Sequence, residues 1–293
     1  MRDVEPRFEP RERFLALRPD RAEPRYAGLW AVGCLEPLAR PSIAIVGTRA
    51  ASAYGRSQAR SIAAELASLG LCVLSGLALG IDAAAHEGAL DAGSPTVGVI
   101  GSGHHRFYPP RNAALASRML ASGGAVLSPF PPEEPARPGQ FLARNGVVVA
   151  LADALLVVEA PIRSGALNTA SWAAGEIPVL ALPSDVDRRS GAGSLALLRD
   201  GATLVRDAAD IVEAMGLLRP EAPQARAALP APEPEDALLG LIRGGASTLE
   251  ELVAASGSPT AELLGRLNLL ELGGTIERRG AGYALARRPR KAR

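Results

Sequence analysis

Residues 42–85 read SIAIVGTRAASAYGRSQARSIAAELASLGLCVLSGLALGIDAAA, and this stretch decides the fold. The apolar run 43–46 is typical of a buried strand, and it ends at Gly47, Thr48 and Arg49. Apolar residues then recur at three- and four-residue spacings as far as residue 69, which predicts an amphipathic helix. A glycine, a hydroxyl and a cation are therefore placed where a strand passes into a helix.

A second strand with the same kind of ending is predicted at residues 71–74. It is followed by Ser75 and Gly76, and a second helix begins near Asp82. In a parallel β-α-β unit both strand ends meet at one edge of the sheet, where open α/β sheets bind their ligands. Backbone N–H groups at helix starts favour phosphate, and together with Arg49 they predict an anion site. For any one glycine alone, the alternative is a tight turn or close helix packing.

The alternation of strand and helix continues to residue 214. Strands are predicted at 96–100, 125–127, 154–159, 178–182 and 203–205, and helices at 82–90, 111–121, 164–174, 194–199 and 207–214. This order predicts an α/β fold with an extended, Rossmann-like, doubly wound and mostly parallel sheet. Residues 141–151 fit a strand by their valines and a helix by their position before the next strand. A dinucleotide fingerprint is disfavoured, because Arg106 stands where the third glycine after Gly101 and Gly103 is required.

Composition divides the chain into five segments. They are an N-terminal extension (1–23) predicted as a short helix or partly disordered, a main domain (24–218), a proline- and alanine-rich linker (219–235), a small C-terminal domain (236–286) and a basic tail (287–293). Capping-box patterns pair Ser247 with Glu250 and Thr248 with Glu251, so a helix is predicted to begin there. With a helix on either side and a hairpin around residues 280–282, the small domain is predicted to be a winged helix.

Charge and cysteine content limit the class of protein. The 293 residues carry a formal net charge of +1, so a nucleic-acid binder of this composition must concentrate its cations locally. Cys34 and Cys72 are too few for a disulfide framework, which fits a reducing cytoplasm. The apolar run 147–158 is interrupted by Asp153 and is too short to span a bilayer. We expect a soluble, cytoplasmic protein with no membrane partner.

No hydrolytic or metal centre is predicted. The chain has no GxSxG elbow and no Walker loop, and its three histidines, His86, His104 and His105, lack the partners that such sites need. The adjacent pair is predicted to be a solvated loop feature, and His86 to pack within its helix or bond a loop. Asp82 is predicted to cap its helix rather than to act as a base. We therefore expect no catalytic residue, no metal and no cofactor.

A binding edge remains as the candidate site. Four arginines lie at predicted strand ends or helix starts, and small or polar residues lie between them. Arginine grips phosphate oxygens bidentately, and aromatic rings stack on unpaired bases. For each aromatic residue alone, core packing is an equal alternative. The candidate residues from these patterns are Gly47, Thr48, Arg49, Ser75, Gly76, Gly103, Tyr108, Arg111, Asn112, Phe141, Arg144, Arg163, Ser164, Gly165 and Thr169.

Five motifs resemble those of one known family. VGTR, SGLALGIDAAAHEGAL, GSGHHRFYPPRN, FLARN and VVEAPIRSGALNTA occur in the order and at the approximate spacing of the DNA processing protein A family (DprA, also called Smf). The resemblance covers roughly residues 24–215. It favours a helix at 141–151, and it implies a lead-in strand near 24–33 with Leu29 and Trp30 as inward anchors.

The resemblance also implies a function. It implies single-stranded DNA binding, homodimerisation, protection of incoming DNA and loading of the recombinase RecA during natural transformation. By motif, Arg49 matches the arginine after the first glycine, and Arg144 with Asn145 matches an arginine-asparagine pair. The family's SGxxxT segment is matched in this chain at Ser164, Gly165 and Thr169.

The chain departs from the family pattern at several basic positions. Leu79 and Gly146 stand where relatives usually carry a basic residue, and Pro110 stands where a lysine is common. Fewer cations are therefore expected along the groove. We expect strand binding that is weaker or more salt-sensitive than in a typical member, or a shifted role.

Two other functions remain open from the sequence. One is a nucleotide-binding enzyme of the lonely-guy type, a nucleoside monophosphate phosphoribohydrolase; it needs the segment PGGxGTxxE, and this chain offers only EAPIRSGALNTA nearby. The other is a DNA-dependent regulator acting through the winged helix. Its third helix carries Glu262 and Glu271 against Arg266, which favours a protein contact over DNA.

Overall fold

The computed structural model describes residues 5–19, 26–217, 237–245, 247–273, 275–279 and 282–285. The chain divides into two compact units, Met1–Arg219 and Pro220–Arg293. The predicted linker (219–235) and basic tail (287–293) lie outside the described residues. None of the helices in the described ranges is long and apolar enough to cross a membrane.

The first unit is built on a nine-stranded sheet with the order β1-β2-β6-β5-β4-β3-β7-β8-β9. Strands β3 to β9 pair in parallel, whereas β2 is antiparallel to both β6 and β1. This confirms the predicted, mostly parallel, doubly wound sheet. The strands are β1 (Arg7–Pro10), β2 (Gly28–Gly33), β3 (Ser42–Val46), β4 (Cys72–Ser75), β5 (Thr96–Val99), β6 (Ala125–Ser128), β7 (Ala154–Val157), β8 (Val179–Ala181) and β9 (Thr203–Leu204).

Helices cover both faces of this sheet. They are α1 (Arg11–Leu17), α2 (Ala53–Ser68), α3 (Ile81–Asp91), α4 (Ala113–Ala121), α5 (Pro138–Leu151), α6 (Gly165–Ala173), α7 (Ala192–Arg199) and α8 (Ala208–Ala214). Side chains alternate across each strand, so Ile43 and Ile45 of β3 pack with α2 and α3, while Ala44 and Val46 pack with α5 and α6. The ambiguous residues 141–151 are helical, as the resemblance favours.

Strand β3 is the centre of the topology. All five of its residues are buried, and it pairs with β4 on one side and β7 on the other. From β3 the chain adds β4, β5 and β6 in one direction, and then crosses through α5 to add β7, β8 and β9 in the other. The strand order reverses beside β3, and open sheets of this kind bind ligands at the carboxyl ends of the strands near such a reversal.

The N-terminal residues extend the sheet rather than only lying on it. A short helix is present as predicted, but β1 was not predicted. The prediction of two inward anchors in β2 is wrong for one of them. Leu29 is fully buried, whereas Trp30 is half-buried and packs edge-on against exposed Phe8 with 5.6 Å between ring centroids. Successive strand residues point to opposite faces, so two neighbours cannot share one core.

Arg18 joins the end of α1 to the sheet. Its guanidinium forms an ion pair with Asp153 and donates to the Ser42 hydroxyl at 3.0 Å. Asp153 in turn accepts a hydrogen bond of 2.7 Å from the backbone N–H of Ser42. These contacts fix the amino ends of β3 and β7, at the edge opposite the candidate site.

Two histidines are buried and not solvated. His104 lies 3% exposed, and its Nε2 is 2.9 Å from the carbonyl of Val126, so the prediction of a solvated pair is wrong for it. His86 is fully buried on α3, and it bonds a strand residue, not a loop: its Nδ1 is 2.8 Å from the hydroxyl of Thr96. Because Thr96 donates its single proton to the carbonyl of Val73, His86 must donate from Nδ1.

The second unit folds as a winged helix. Helices α9 (Ala237–Arg243), α10 (Leu249–Ser256) and α11 (Thr260–Leu272) precede the hairpin β10 (Ile276–Arg279) and β11 (Gly282–Leu285). Thr248 and Glu251 form the predicted capping box at the start of α10. The Ser247–Glu250 pairing does not form, because Ser247 donates its N–H to Glu251 at 2.8 Å. The backbone N–H groups of Thr248 and Ser247 both donate to the carboxylate of Glu251, and they hold its pKa below the usual value.

Because His86 is buried, we expect the stability of the protein to depend on pH. Burial, with a smaller effect of Arg144, lowers its pKa from 6.5 to about 3. As the pH falls below 6.5 the unfolded chain takes up a proton that the folded chain excludes, so the free energy of unfolding should fall by up to about 1.4 kcal/mol per pH unit. We expect His86→Gln to flatten this slope between pH 6.5 and 5, as measured by urea denaturation.

The exposed histidine supplies the control. His105→Gln removes an exposed imidazole instead of a buried one, so the change in slope should be larger in His86→Gln than in His105→Gln. An unchanged slope in His86→Gln would contradict the assignment.

Candidate nucleic-acid interface

The carboxyl ends of β3, β4 and β5 meet the start of α5 around a pocket that opens to solvent. Its lining combines two arginines, two aromatic rings and small or apolar residues. The lining residues are Arg49, Gly76, Ala78, Leu79, Gly101, Tyr108, Pro109, Phe141 and Arg144. Five of the predicted site residues therefore share one pocket: Arg49, Gly76, Tyr108, Phe141 and Arg144.

Arg144 is the most deeply buried polar side chain of this pocket. It is 4% exposed, and its Nε has no hydrogen-bond partner among the described residues. Its guanidinium occupies the space that a side chain on Gly76 would need, so a Cβ there would collide with Nη1. Only glycine at residue 76 leaves room for this arrangement.

The charge of Arg144 is only partly balanced. Burial lowers the pKa of Arg144 to about 10; the negative charge of Asp82 opposes this shift, and the positive charge of Arg49 adds to it. The side chain therefore stays charged at neutral pH, in a place where an isolated charge is unfavourable. A buried cation of this kind attracts an electron-rich ligand.

Asp82 does not cap α3, contrary to the prediction. The residue at the cap is Gly80, and the carboxylate of Asp82 instead accepts hydrogen bonds from the N–H groups of Gly76 (3.1 Å) and Ala78 (3.3 Å). Burial raises the pKa of Asp82, and the nearby charge of Arg144 opposes that shift. Asp82 thus shapes the loop after β4 and supplies the negative charge that faces Arg144.

The loop after β4 is held in an uncommon conformation. Leu77 has φ of +53° and is fully buried, and Gly80 has φ of +83°. Asn112 holds the loop from the other side, because its amide donates to the carbonyls of Leu77 (2.9 Å) and Ala78 (3.0 Å). Asn112, predicted as a binding residue, is seen to position the pocket wall.

An aromatic wall closes one side of the pocket. The guanidinium carbon of Arg49 lies 5.0 Å from the centre of the Phe141 ring, and the Tyr108 ring lies 5.6 Å from Phe141. Arg49 and Tyr108 are exposed, so they form the rim. Gly101 was not among the predicted site residues, yet a Cβ on it would lie 2.6 Å from the Phe141 ring. The glycine-rich turn after the strand at 96–100 was the signal that could have identified it.

Several predicted anion-binding donors are already used by the fold. The backbone N–H of Thr48 donates to the carbonyl of Glu159 at 2.7 Å, and the N–H of Gly103 donates to the backbone carbonyl of Glu134 at 2.7 Å. The N–H of Gly76 is bound to Asp82, and the hydroxyl of Ser75 donates to Ile45 at 2.6 Å. Buried N–H groups must be paired, and here internal acceptors pair them. These four donors are therefore not available to an anion.

The remaining predicted residues lie outside the pocket lining. Ser164 caps α6 by accepting from the N–H of Leu167 at 3.3 Å, and Thr169 donates to the carbonyl of Gly165 at 3.0 Å. Asn145 donates to the same carbonyl at 3.3 Å and so joins α5 to α6. A Cβ on Gly47 would lie 2.5 Å from Ile81, which makes Gly47 a close-packing position. Arg111 and Arg163 are exposed and are not part of the lining.

The two departures at basic positions have different surroundings. Leu79 lies in the pocket lining itself. At Gly146, a Cβ would lie 3.3 Å from the ring of Trp172, so the indole covers this position on the surface between α5 and α6. The pocket therefore has an apolar side chain at residue 79.

The residues described do not contain a metal site. No group of three or more histidine, cysteine, aspartate or glutamate side chains is close enough to hold an ion within the described ranges. Cys72 is fully buried in β4, and burial raises its pKa to about 12. Its thiol is therefore protonated at neutral pH.

Relatives of known name share this sequence. The putative DNA processing protein DprA of Mycobacterium tuberculosis (strain H37Rv) is 43% identical over 278 residues, which cover 88% of this chain and 71% of that protein. The protein Smf of Escherichia coli (strain K12) is 36% identical over 272 residues, covering 89% and 72% respectively.

Solved structures share the fold. DNA processing protein A from Streptococcus pneumoniae superposes with a TM-score of 0.62 at 33% identity, covering 72% of this chain and 74% of that one. The protein of the same name from Helicobacter pylori, whose structure is described for its single-stranded DNA binding mode, gives a TM-score of 0.60 at 28% identity, covering 72% and 94%.

Family models match most of the chain. The model of DNA recombination-mediator protein A matches residues 19–216, and the model of the DprA winged helix domain matches residues 221–282. The chain therefore belongs to the DNA recombination-mediator protein A family, also known as DprA or Smf.

Proposed function

We propose that this protein binds single-stranded DNA through the pocket at the carboxyl ends of β3 to β5. Acting as a homodimer in the cytoplasm, it protects incoming strands and loads RecA onto them in natural transformation, without cleaving a bond. The observation that carries the binding proposal is the buried, only partly balanced charge of Arg144 in an aromatic pocket. Membership of the recombination-mediator family supports the remainder.

The pocket suits an unpaired nucleotide in two ways. Its aromatic side chains, Tyr108 and Phe141, can stack on a base, and such contacts contribute roughly 1–3 kcal/mol each. Arg49 at the rim can grip a phosphate oxygen through its fork of N–H donors. A duplex keeps its bases stacked inside, so single strands are the form that can use both features.

Loss of the arginine at the rim of the pocket should weaken DNA binding. Arg49→Ala should weaken binding of an unstructured oligonucleotide about five- to tenfold at roughly 50 mM salt, because one phosphate contact is lost. The slope of log affinity against log salt should become shallower by about 0.7, the contribution of one neutralised phosphate on a single strand. Fluorescence anisotropy at several salt concentrations measures both quantities.

Arg118→Ala is the matched control for this measurement. Arg118 is an exposed arginine near the end of α4 and lies outside the pocket lining. Its loss changes the net charge equally and should leave affinity and slope nearly unchanged. Failure of the unmodified protein to bind single strands at low salt would overturn the proposed function.

A substitution beneath the buried arginine tests the part that Arg144 plays in binding. Gly76→Ala places a methyl group where the Arg144 guanidinium lies, so the arginine must move. We expect the affinity for single strands to fall about tenfold or more, because the displaced guanidinium no longer meets the ligand and a hydrogen bond to a charged group contributes about 1.5–3 kcal/mol. Gly139→Ala at the start of α5 is the control, because no atom lies within 4 Å of a Cβ built there.

Thermal unfolding of both glycine variants, followed by circular dichroism, shows whether the sheet is retained. Gly76→Ala that is folded and binds like the unmodified protein would show that Arg144 takes no part in binding.

A further inference from the structure

The polar side chains of the pocket are almost exclusively hydrogen-bond donors. They are Arg49, Arg144 and Tyr108. An arginine carries five N–H donors and no acceptor, and a tyrosine hydroxyl can act either way. The nearest carboxylate, Asp82, is not part of the lining, and it accepts from the N–H groups of Gly76 and Ala78. A group that enters the pocket therefore meets N–H donors and no obligate side-chain acceptor.

Depth separates the two arginines. Arg49 is exposed at the rim, whereas Arg144 is 4% exposed with an unpartnered Nε. The phosphates of a strand are tied to their neighbours through the sugars and remain along the rim, while a base can turn away from the backbone into a pocket. The apolar and aromatic walls also favour a base over a phosphate. Arg144 thus faces a base, and Arg49 the backbone.

A base enters with the edge that is farthest from its sugar. On that edge thymine carries the O4 carbonyl and guanine the O6 carbonyl, both acceptors, whereas cytosine and adenine carry the N4 and N6 amines, both donors. If the amine of a base lay against the Arg144 guanidinium, neither the N–H groups of the amine nor those of the arginine would have an acceptor. Unsatisfied donors are unfavourable in a buried place. A carbonyl oxygen would accept from Arg144.

We propose that this pocket prefers keto bases, thymine and guanine, to amino bases, and that Arg144 is the residue that sets this preference. The inference rests on the proposed function and adds a base selectivity to it. The preference arises from the guanidinium of Arg144, which can donate but not accept hydrogen bonds, and not from stacking. Thymine and cytosine rings have nearly the same size. They differ at C4, which carries a carbonyl in thymine and an amine in cytosine, at N3, which is protonated only in thymine, and in the methyl group of thymine.

The experiment compares labelled oligothymidylate and oligodeoxycytidylate of about 20 nucleotides, a length that exceeds a typical single-strand site. Anisotropy titrations use the full chain at one salt concentration and at about pH 8, where cytosine is neutral. We expect the thymidylate to bind about five- to tenfold more tightly, the effect of one unsatisfied buried donor. An oligodeoxyuridylate, which lacks the methyl group but keeps O4, should bind like the thymidylate.

Variants separate the floor from the rim. Arg144→Gln supplies an acceptor as well as donors, and it should bring the ratio of the two affinities to about one. Arg49→Ala should weaken both oligonucleotides equally and keep the ratio, because a phosphate contact does not distinguish bases.

Each outcome has one interpretation. Equal binding of thymidylate and cytidylate by the unmodified protein would overturn the inference and leave the proposed function standing. The inference would also be overturned if folded Arg144→Gln still preferred the thymidylate to the cytidylate. The same holds if the uridylate bound the unmodified protein more weakly than the thymidylate does. Absence of binding to every oligonucleotide would overturn both the inference and the proposed function. The uridylate comparison needs no variant, so it tests whether the O4 carbonyl and not the methyl group sets the preference even where Arg144→Gln does not fold.

Discussion

The organisation of the pocket depends on a buried arginine that is packed against a glycine and faced by a carboxylate. Arg144 has room only because residue 76 has no side chain, and Asp82 supplies the opposing charge while binding the N–H groups of the loop after β4. Removing a buried charge from water is costly unless something compensates for it. The negative charge of Asp82 compensates only in part for the burial of the Arg144 charge. The pocket is therefore suited to binding an electron-rich ligand.

Most of the fold could be predicted from the sequence because its signals are local. The strand at 43–46 and the helix after it follow from apolar spacing, and the structure confirms both as β3 and α2. The exceptions depend on distant partners. Residues 7–10 became β1 only because β2 offers an open edge, and residues 141–151 became a helix because the crossover to β7 requires one. No local pattern contains that information.

The pocket was predicted less completely than the fold, for a physical reason. Arginines and aromatic residues after strands could be identified in the sequence, and Arg49 and Phe141 do lie together. Which backbone N–H groups remain free could not be predicted, because that depends on acceptors far away in the chain. The N–H of Thr48 donates to the carbonyl of Glu159, and that of Gly103 to the carbonyl of Glu134. Each acceptor is more than 30 residues from its donor in the sequence, and only the fold brings the two together.

Helix α5 connects the rim of the pocket to its floor. Phe141 and Arg144 are three residues apart and so lie on the same side of this helix, where one contacts Arg49 and the other lies against Gly76. Asn145 fixes the adjoining side by bonding α6, and Trp172 packs where Gly146 leaves space. A shift of α5 against α6 would therefore move the stacking ring and the buried charge together. Asn145, which the sequence suggests as a ligand contact, therefore contributes to the pocket by fixing the position of α5 against α6.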